Sequence, residues 1–164
     1  VGEAVAGFHA GDNQRMEAVA RRALAEVFLW GDELERAEEE ALRAVALAES
    51  MPPIRAYALA TLADVVRSRA RPEEALAAAR EATTLLVAQG HMVQGEARVR
   101  AALAAALSAS AQTDEALATL TAARTWLLAR AERFTTGERR DRFLYEVPDH
   151  ARIQLLWKAW HPGA

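Results

Sequence analysis

Residues 24–44 read LAEVFLWGDELERAEEEALRA, and two later stretches repeat their pattern: LADVVRSRARPEEALAAAREA at 62–82 and LAAALSASAQTDEALATLTAA at 103–123. Each copy opens with a Leu-Ala pair, has an alanine 12 residues after the first alanine, and has another alanine seven residues later. The copies start 38 and then 41 residues apart. A repeat of this length is typical of a helical solenoid, in which each unit buries its apolar face only against its neighbours.

The repeated alanines have a physical reason. Two antiparallel helices joined by a tight turn approach closely only where the crossing point has almost no side chain. One such position lies on the first helix of each unit and two lie on the second: Ala25, Ala37 and Ala44; Ala63, Ala75 and Ala82; Ala104, Ala116 and Ala123. Phe28, Val66 and Leu107 lie three residues beyond the first alanine and are expected to fill the space between units.

Residues that break helices divide the chain into about eight helices. Gly31 follows a first helix that is expected to begin near Asn13, Pro52 and Pro53 open a third, and Pro72 opens a fourth. Further boundaries are expected at Gly90, at Thr113-Asp114 as a cap, at Gly137 and at Pro148. The sequence therefore predicts an all-α fold with a flexible segment at 1–12, three helical hairpins at 13–134 and capping helices at 135–164.

The hairpins resemble the tetratricopeptide repeat family over about 15–131. Leu24, Leu62 and Leu103 match the leucine of that family, and the alanines above match its small positions. The chain departs from the family in having alanine for its glycine, no closing proline, and a period longer than about 34 residues. The resemblance implies an α-α superhelix of the elongated type found in large bacterial regulators, including serine/threonine kinases and ATPase-linked transcription regulators.

That resemblance also implies a binding site in the concave groove that the first helices of the repeats line. The positions facing the groove would be Arg22, Glu26, Trp30, Tyr57, Asp64, Arg67 and Arg98. Aromatic and arginine anchors suit a peptide or a partner helix. The alternative is that these are exposed positions of a scaffold whose contacts lie elsewhere.

The last two helices are expected to carry four of the ten aromatic side chains. Ile153, Leu156, Trp157 and Trp160 form one helical stripe after Pro148, with Asp149 as a candidate cap. Phe143, Leu144 and Val147 form the matching stripe on the arm before it. Terminal solenoid units must cover an exposed apolar face, so we expect a capping lid. The other interpretation is that this segment binds a partner itself.

Composition and residue spacing argue against several classes of function. The 164 residues have a net charge of −3 with arginines scattered among glutamates, which disfavours nucleic-acid binding. There is no cysteine, no apolar run of bilayer length and no leader pattern, so a cytoplasmic chain without membrane contact is expected. The four histidines share no metal-ligand spacing, and we expect no metal, no cofactor and no catalytic site.

The sequence thus favours a non-enzymatic interaction module that binds a protein or peptide. The alternative is a regulatory domain that senses a ligand or peptide and controls an attached kinase or DNA-binding domain. Assembly into a homo-oligomer stays open, because open-ended solenoids often associate through their terminal faces.

Overall fold

A computed structural model describes residues 2–90, 92 and 94–161, with side chains from residue 13 onward. This part of the chain is all-α and contains no strand. The eight helices are α1 (Gly2–Trp30), α2 (Leu34–Leu47), α3 (Pro52–Ser68), α4 (Pro72–Gln89), α5 (Glu96–Ala109), α6 (Thr113–Ala131), α7 (Gly137–Tyr145) and α8 (Pro148–Trp160). The boundaries predicted at Gly31, Pro52, Pro72, Gly90, Gly137 and Pro148 are confirmed within one residue.

The predicted start of the first helix is wrong. α1 begins at Gly2 and not near Asn13, so it includes residues 2–12, which we expected to form a flexible segment. The three glycines of this segment do not prevent the helix. A glycine costs a helix about 1 kcal/mol relative to alanine, and the intervening alanines Ala4, Ala6 and Ala10 favour the helix.

The helices are arranged in two layers that are closed at one end. α3 contacts both α1 and α5, so the three first helices form one layer. α2, α4 and α6 each pack beside the helix that precedes them, and α2 and α4 also contact the helix that follows. α8 packs on α5 and α6, and α7 on α6 and α8, so the last two helices cover the end that follows the third pair.

The three turns between paired helices have the same backbone geometry. Asp32, Ala70 and Ala111 each adopt a left-handed conformation, with φ of 59°, 56° and 58°. In each turn the next residue donates its backbone N–H to a carbonyl five residues earlier, as in Glu33 to Phe28 at 2.9 Å. The same bond joins Arg71 to Val66 and Gln112 to Leu107. The repeat in sequence therefore coincides with a repeated helix ending of the Schellman type.

The alanines that define the sequence repeat lie in the core. All nine are at most 1% exposed, as the close approach of paired helices requires. Val66 and Leu107 are also buried, whereas Phe28 is half-buried under the guanidinium of Arg36, 4.0 Å from its ring centre. Leu24 is exposed, unlike its equivalents in the later pairs, because α1 has no helix pair on its outer side.

The C-terminal helices pack on the third pair. Leu144 and Ile153 are buried, and Trp157 and Trp160 are half-buried against the cluster that includes Leu120 and Leu127. The expectation for Val147 is wrong. Val147 is exposed and does not join the apolar stripe of α7, because it lies in the extended link before Pro148.

The capping residues also differ from the sequence-based expectation. Val147 occupies the N-cap position of α8, so Asp149 is inside the helix and its side chain points elsewhere. Gln112, and not Thr113, precedes α6. None of these N-cap residues makes a side-chain cap hydrogen bond. The cap signals failed because proline and the left-handed turn residues, and not capping side chains, set where these helices begin.

Candidate functional site

Three of the predicted groove residues meet on the layer formed by α1, α3 and α5, which we call the inner layer. Glu26 on α1, Asp64 on α3 and Arg98 on α5 come from successive first helices. The Arg98 guanidinium lies 3.3 Å from a carboxylate oxygen of Asp64 and 3.3 Å from one of Glu26. Arg98 is 7% exposed and Asp64 3% exposed, so these charges are almost fully removed from water. These three residues therefore lie together, and they are covered.

The cover is α8. Asp149 accepts a hydrogen bond from Arg98 Nε at 3.0 Å, and Arg152 donates to both carboxylate oxygens of Asp64 at 2.5 Å. Asp149 and Arg152 lie three residues apart on one face of α8. Sequence reasoning missed both as site residues, because only the path of α8 across the inner layer brings them to Arg98 and Asp64. We name the residues Glu26, Asp64, Arg98, Asp149 and Arg152 the ion cluster.

Electrostatic complementarity holds the ion cluster together. Burial by itself would lower the pKa of Arg98, but Asp149, Glu26 and Asp64 more than offset it and raise that pKa above its ordinary value. A buried charge with partners on three sides is tolerated, while the same charge without a partner costs several kcal/mol. The ion cluster therefore ties α8 to α1, α3 and α5 at one point.

Tyr57 joins the ion cluster to the open surface beside it. Its hydroxyl donates to Asp149 Oδ2 at 3.1 Å, and the Arg22 guanidinium lies 3.9 Å from the centre of its ring. Arg22 is also paired with Glu26, whose carboxylate accepts from the Thr61 hydroxyl at 3.4 Å. Burial and then the negative charge of Asp149 raise the pKa of the Tyr57 phenol. The structure thus brings the predicted residues Arg22 and Tyr57 together.

Gly95 allows the segment before α5 to approach Tyr57. Its φ is +82°, and a Cβ at this position would lie 2.5 Å from Cγ of the Tyr57 ring. Only glycine fits both the left-handed backbone and the contact. Glu96, which follows it, is buried and accepts the backbone N–H of Met92 at 3.2 Å and the Arg100 guanidinium at 2.8 Å. These contacts fix one wall of the surface beside Tyr57.

Two adjoining cavities open on this side of α8. One, of about 660 Å³, extends from Arg15 and Val19 on α1 to Ile54 on α3. The other, of about 460 Å³, extends towards Trp126, Phe143 and His150. The two cavities share four lining residues: Arg22, Tyr57, Met92 and Gln94. We call the two cavities together the channel.

The remaining predicted residues, Trp30 and Arg67, lie on the opposite side of the ion cluster. They line a smaller cleft of about 280 Å³ with Leu29 and Pro148. Trp30 is 71% exposed, and the Arg67 Nε atom is buried without a hydrogen-bond partner among the described residues. The seven residues that were expected to share one groove therefore line separate surfaces, because the start of α8 reaches α3 and α5 through Asp149 and Arg152 and lies between the channel and this cleft. α8 also contributes the two site residues that the sequence did not reveal.

The arrangement is one of ion pairs and an amphipathic channel. Within 13–90, 92 and 94–161, no group of three or more acidic or histidine side chains is placed to hold a metal ion. His150 lies by the channel and bonds through Nδ1 to the Phe143 carbonyl at 2.8 Å, so its ring is fixed by the link between α7 and α8. Among the described helices, none has both the length and the apolarity for crossing a bilayer.

No family model, curated protein or solved structure matches the chain.

Proposed function

We propose that this chain is a non-enzymatic, cytoplasmic interaction module, a superhelix like those of tetratricopeptide repeat proteins, that binds a peptide segment of a partner protein. By the same resemblance, it would serve within a larger bacterial signalling or regulatory protein. Support for the repeat architecture comes from the three identical left-handed turns and the nine buried alanines, which share the period of the sequence. Support for binding comes from the channel.

The single observation that carries the binding proposal is the size and lining of the channel. Each of its cavities lies within the range of about 300–1,000 Å³ that ligand sites occupy. The lining of the larger cavity includes the apolar residues Val19, Met51, Ile54 and Met92 together with Arg15 and Arg22. Such a surface suits an extended peptide with apolar side chains and at least one carboxylate.

The predicted site residues take new roles in this proposal. Arg22 and Tyr57 contact the bound segment directly. Glu26, Asp64 and Arg98 hold α8 in place and are covered by it. Replacing them would therefore disturb folding and give little information on binding. The useful variants lie at the rim of the channel.

Selection of peptides from a random library displayed on phage tests the proposal directly. Binders are synthesised with a fluorescent label, and their dissociation constants are measured by anisotropy. We expect Arg15→Glu combined with Gln94→Glu to weaken binding at least about tenfold, which corresponds to about 1.4 kcal/mol. Arg140→Glu is the matched control, because it reverses one charge at an exposed position of α7 outside the channel lining.

Two results would contradict the proposal. The first is failure to select any peptide that binds the folded chain. The second is selection of peptides whose affinity the channel variant and the Arg140→Glu control reduce equally.

One observation favours the sensor alternative. Tyr57 lines the channel and also donates to Asp149 on α8, so a ligand that moves its ring would change the attachment of α8. Hydrogen exchange of α8 amides with and without a selected peptide separates the two functions. Unchanged exchange supports a simple docking module, and faster exchange in α8 supports a sensor whose attached domain reads the position of α8.

A further inference from the structure

The first helix is apolar on two opposite faces. One face packs on α2 and α3 through the fully buried Ala18 and Ala25. The opposite face consists of Met16, Ala20, Ala23, Val27 and Trp30. Their spacing of four, three, four and three residues makes one straight stripe along the helix. We call it the α1 stripe.

The α1 stripe is open to solvent. Met16 is 62% exposed, Val27 54% and Trp30 71%. A helix at the surface of a globular domain normally carries polar side chains on its outer face, and a helix that is apolar all round is normally buried. A contiguous exposed apolar surface of this kind marks a contact with another molecule.

α1 also extends beyond its own hairpin. The Gln14 side chain donates to the carbonyl of Leu47 at the end of α2, at 2.9 Å. The part of α1 that precedes Gln14 runs from Gly2 to residue 13 and is about 18 Å long at 1.5 Å per residue. α1 packs on α2 and α3, and its Glu26 also pairs with Arg98 of α5. A second helix beside α1 would cover the stripe and support this extension.

Four residues of the α1 stripe form a pattern that is symmetric about the point between Ala20 and Ala23. These two small residues lie in the middle, and the larger Met16 and Val27 lie on either side. When two copies of such a helix run antiparallel, alanine faces alanine, Met16 faces Val27 and Trp30 lies opposite the uncharged Asn13, with no charge in the contact. Self-complementarity of this kind is what a two-fold interface between identical subunits requires. Growth of the assembly at the other end is blocked, because α7 and α8 cover the third helix pair.

We propose that the chain forms a two-fold dimer in which the α1 helices pack antiparallel, with Ala20 of each copy beside Ala23 of the other. The alanines let the two helix axes approach as closely as they do within the hairpins. This dimer leaves the channel open, because the stripe lies on the outer face of α1.

The oligomeric state tests the dimer. We expect sedimentation velocity and light scattering to report a dimer for the unmodified chain at about 100 μM, and Val27→Glu to raise the dissociation constant at least about 100-fold. Val87→Glu is the matched control, because Val87 is an exposed valine of α4, outside the stripe, and its variant should remain dimeric. A monomeric unmodified chain at that concentration, or a folded Val27→Glu variant that remains dimeric, would overturn the proposal.

Cross-linking tests the antiparallel arrangement, and the chain has no cysteine of its own to interfere. In the Met16→Cys/Val27→Cys double variant, the two new thiols on one helix are about 16 Å apart, too far for a disulfide within one chain. Mild oxidation should therefore yield a covalent dimer from the double variant and none from Met16→Cys alone. A covalent dimer from Met16→Cys alone would indicate parallel helices and overturn the proposed arrangement, as would a double variant that stays uncross-linked.

Discussion

Removal of the Asp149 carboxylate takes one of three acidic partners from the buried Arg98, and this makes Asp149→Ala the most informative single substitution. In the native structure Arg98 contacts Asp149 at 3.0 Å and both Asp64 and Glu26 at 3.3 Å. The substitution deletes the shortest of these contacts and leaves the Tyr57 hydroxyl without its acceptor. It also releases the first turn of α8 from α5.

The expected loss follows from the burial of the pair. Removing one partner of a buried ion pair costs about 3–5 kcal/mol when the other charge is left alone. Arg98 keeps two carboxylates here, and the Asp149 side chain is 15% exposed, so we expect about 2–3 kcal/mol. For a chain of this size, each kcal/mol lowers the melting temperature by about 2–4 °C. The melting temperature should therefore fall by about 4–12 °C.

Urea denaturation followed by far-UV circular dichroism measures this loss. The matched control is Glu138→Ala on α7, which breaks the ion pair between Glu138 and Arg142. In that pair the Arg142 side chain is 64% exposed and the Glu138 side chain 75% exposed. An exposed pair of this kind contributes less than about 1 kcal/mol, so the control should change the unfolding free energy little. Combining Asp149→Ala with Arg98→Met also removes the positive charge that has lost a partner. The loss of unfolding free energy in the double variant should therefore be smaller than the sum of the two single losses by about 1–3 kcal/mol.

The reasoning would be refuted by a loss below about 0.5 kcal/mol for Asp149→Ala, equal to that of the Glu138→Ala control. Strictly additive losses in the double variant would also refute it, because they would show that Arg98 and Asp149 do not interact.

Three further predictions concern the turns, Gly95 and Tyr57. Ala70→Gly and Ala111→Gly should each raise the unfolding free energy measured by urea denaturation by about 0.5–1 kcal/mol. The reason is that relief of about 1–2 kcal/mol of left-handed backbone strain exceeds the entropy cost of glycine. The control Ala77→Gly, at an exposed site within α4, should lower the unfolding free energy instead. Gly95→Ala should lower the melting temperature, because its Cβ would collide with Tyr57, whereas Gly137→Ala, with nothing within 4 Å, should not; equal effects would contradict the contact. The difference between the alkaline absorbance titrations of the unmodified chain and Tyr57→Phe should give a midpoint above pH 10.0 for the Tyr57 phenol. The neutral phenol contributes its full stability below pH 10.0, and this contribution should be lost as the pH rises through the midpoint. A midpoint at or below pH 10.0 would contradict the burial of Tyr57 beside Asp149.

Local chemistry allowed much of the helical framework to be predicted from the sequence. Pro52, Pro72 and Pro148 each open a helix, and Gly31 and Gly90 follow one, because these residues restrict or free the backbone wherever they occur. The spacing of alanines predicted where helices approach closely, since small side chains are required there whatever the surroundings. The start of α1 could not be predicted, because glycine only weakens a helix and the alanines around it compensate.

The candidate site depended on tertiary structure. The structure brings Arg22 and Tyr57 together, and both lie on first helices, the elements that the sequence-based prediction assigned to the groove. The roles of Asp149 and Arg152 could not be read from α8, since the carboxylate and the guanidinium find their partners 51 and 88 residues away.

The sequence by itself thus determined most helix boundaries, apart from the start of α1, and the alanines at which paired helices approach closely. Only the tertiary structure decided that the start of α8 lies over α3 and α5, covers Asp64 and Arg98, and separates the channel from Trp30 and Arg67. The physical reason is range: helix ends and close crossings are set by residues within a few turns, whereas the path of a terminal helix is set by the distant charges and apolar side chains that it buries.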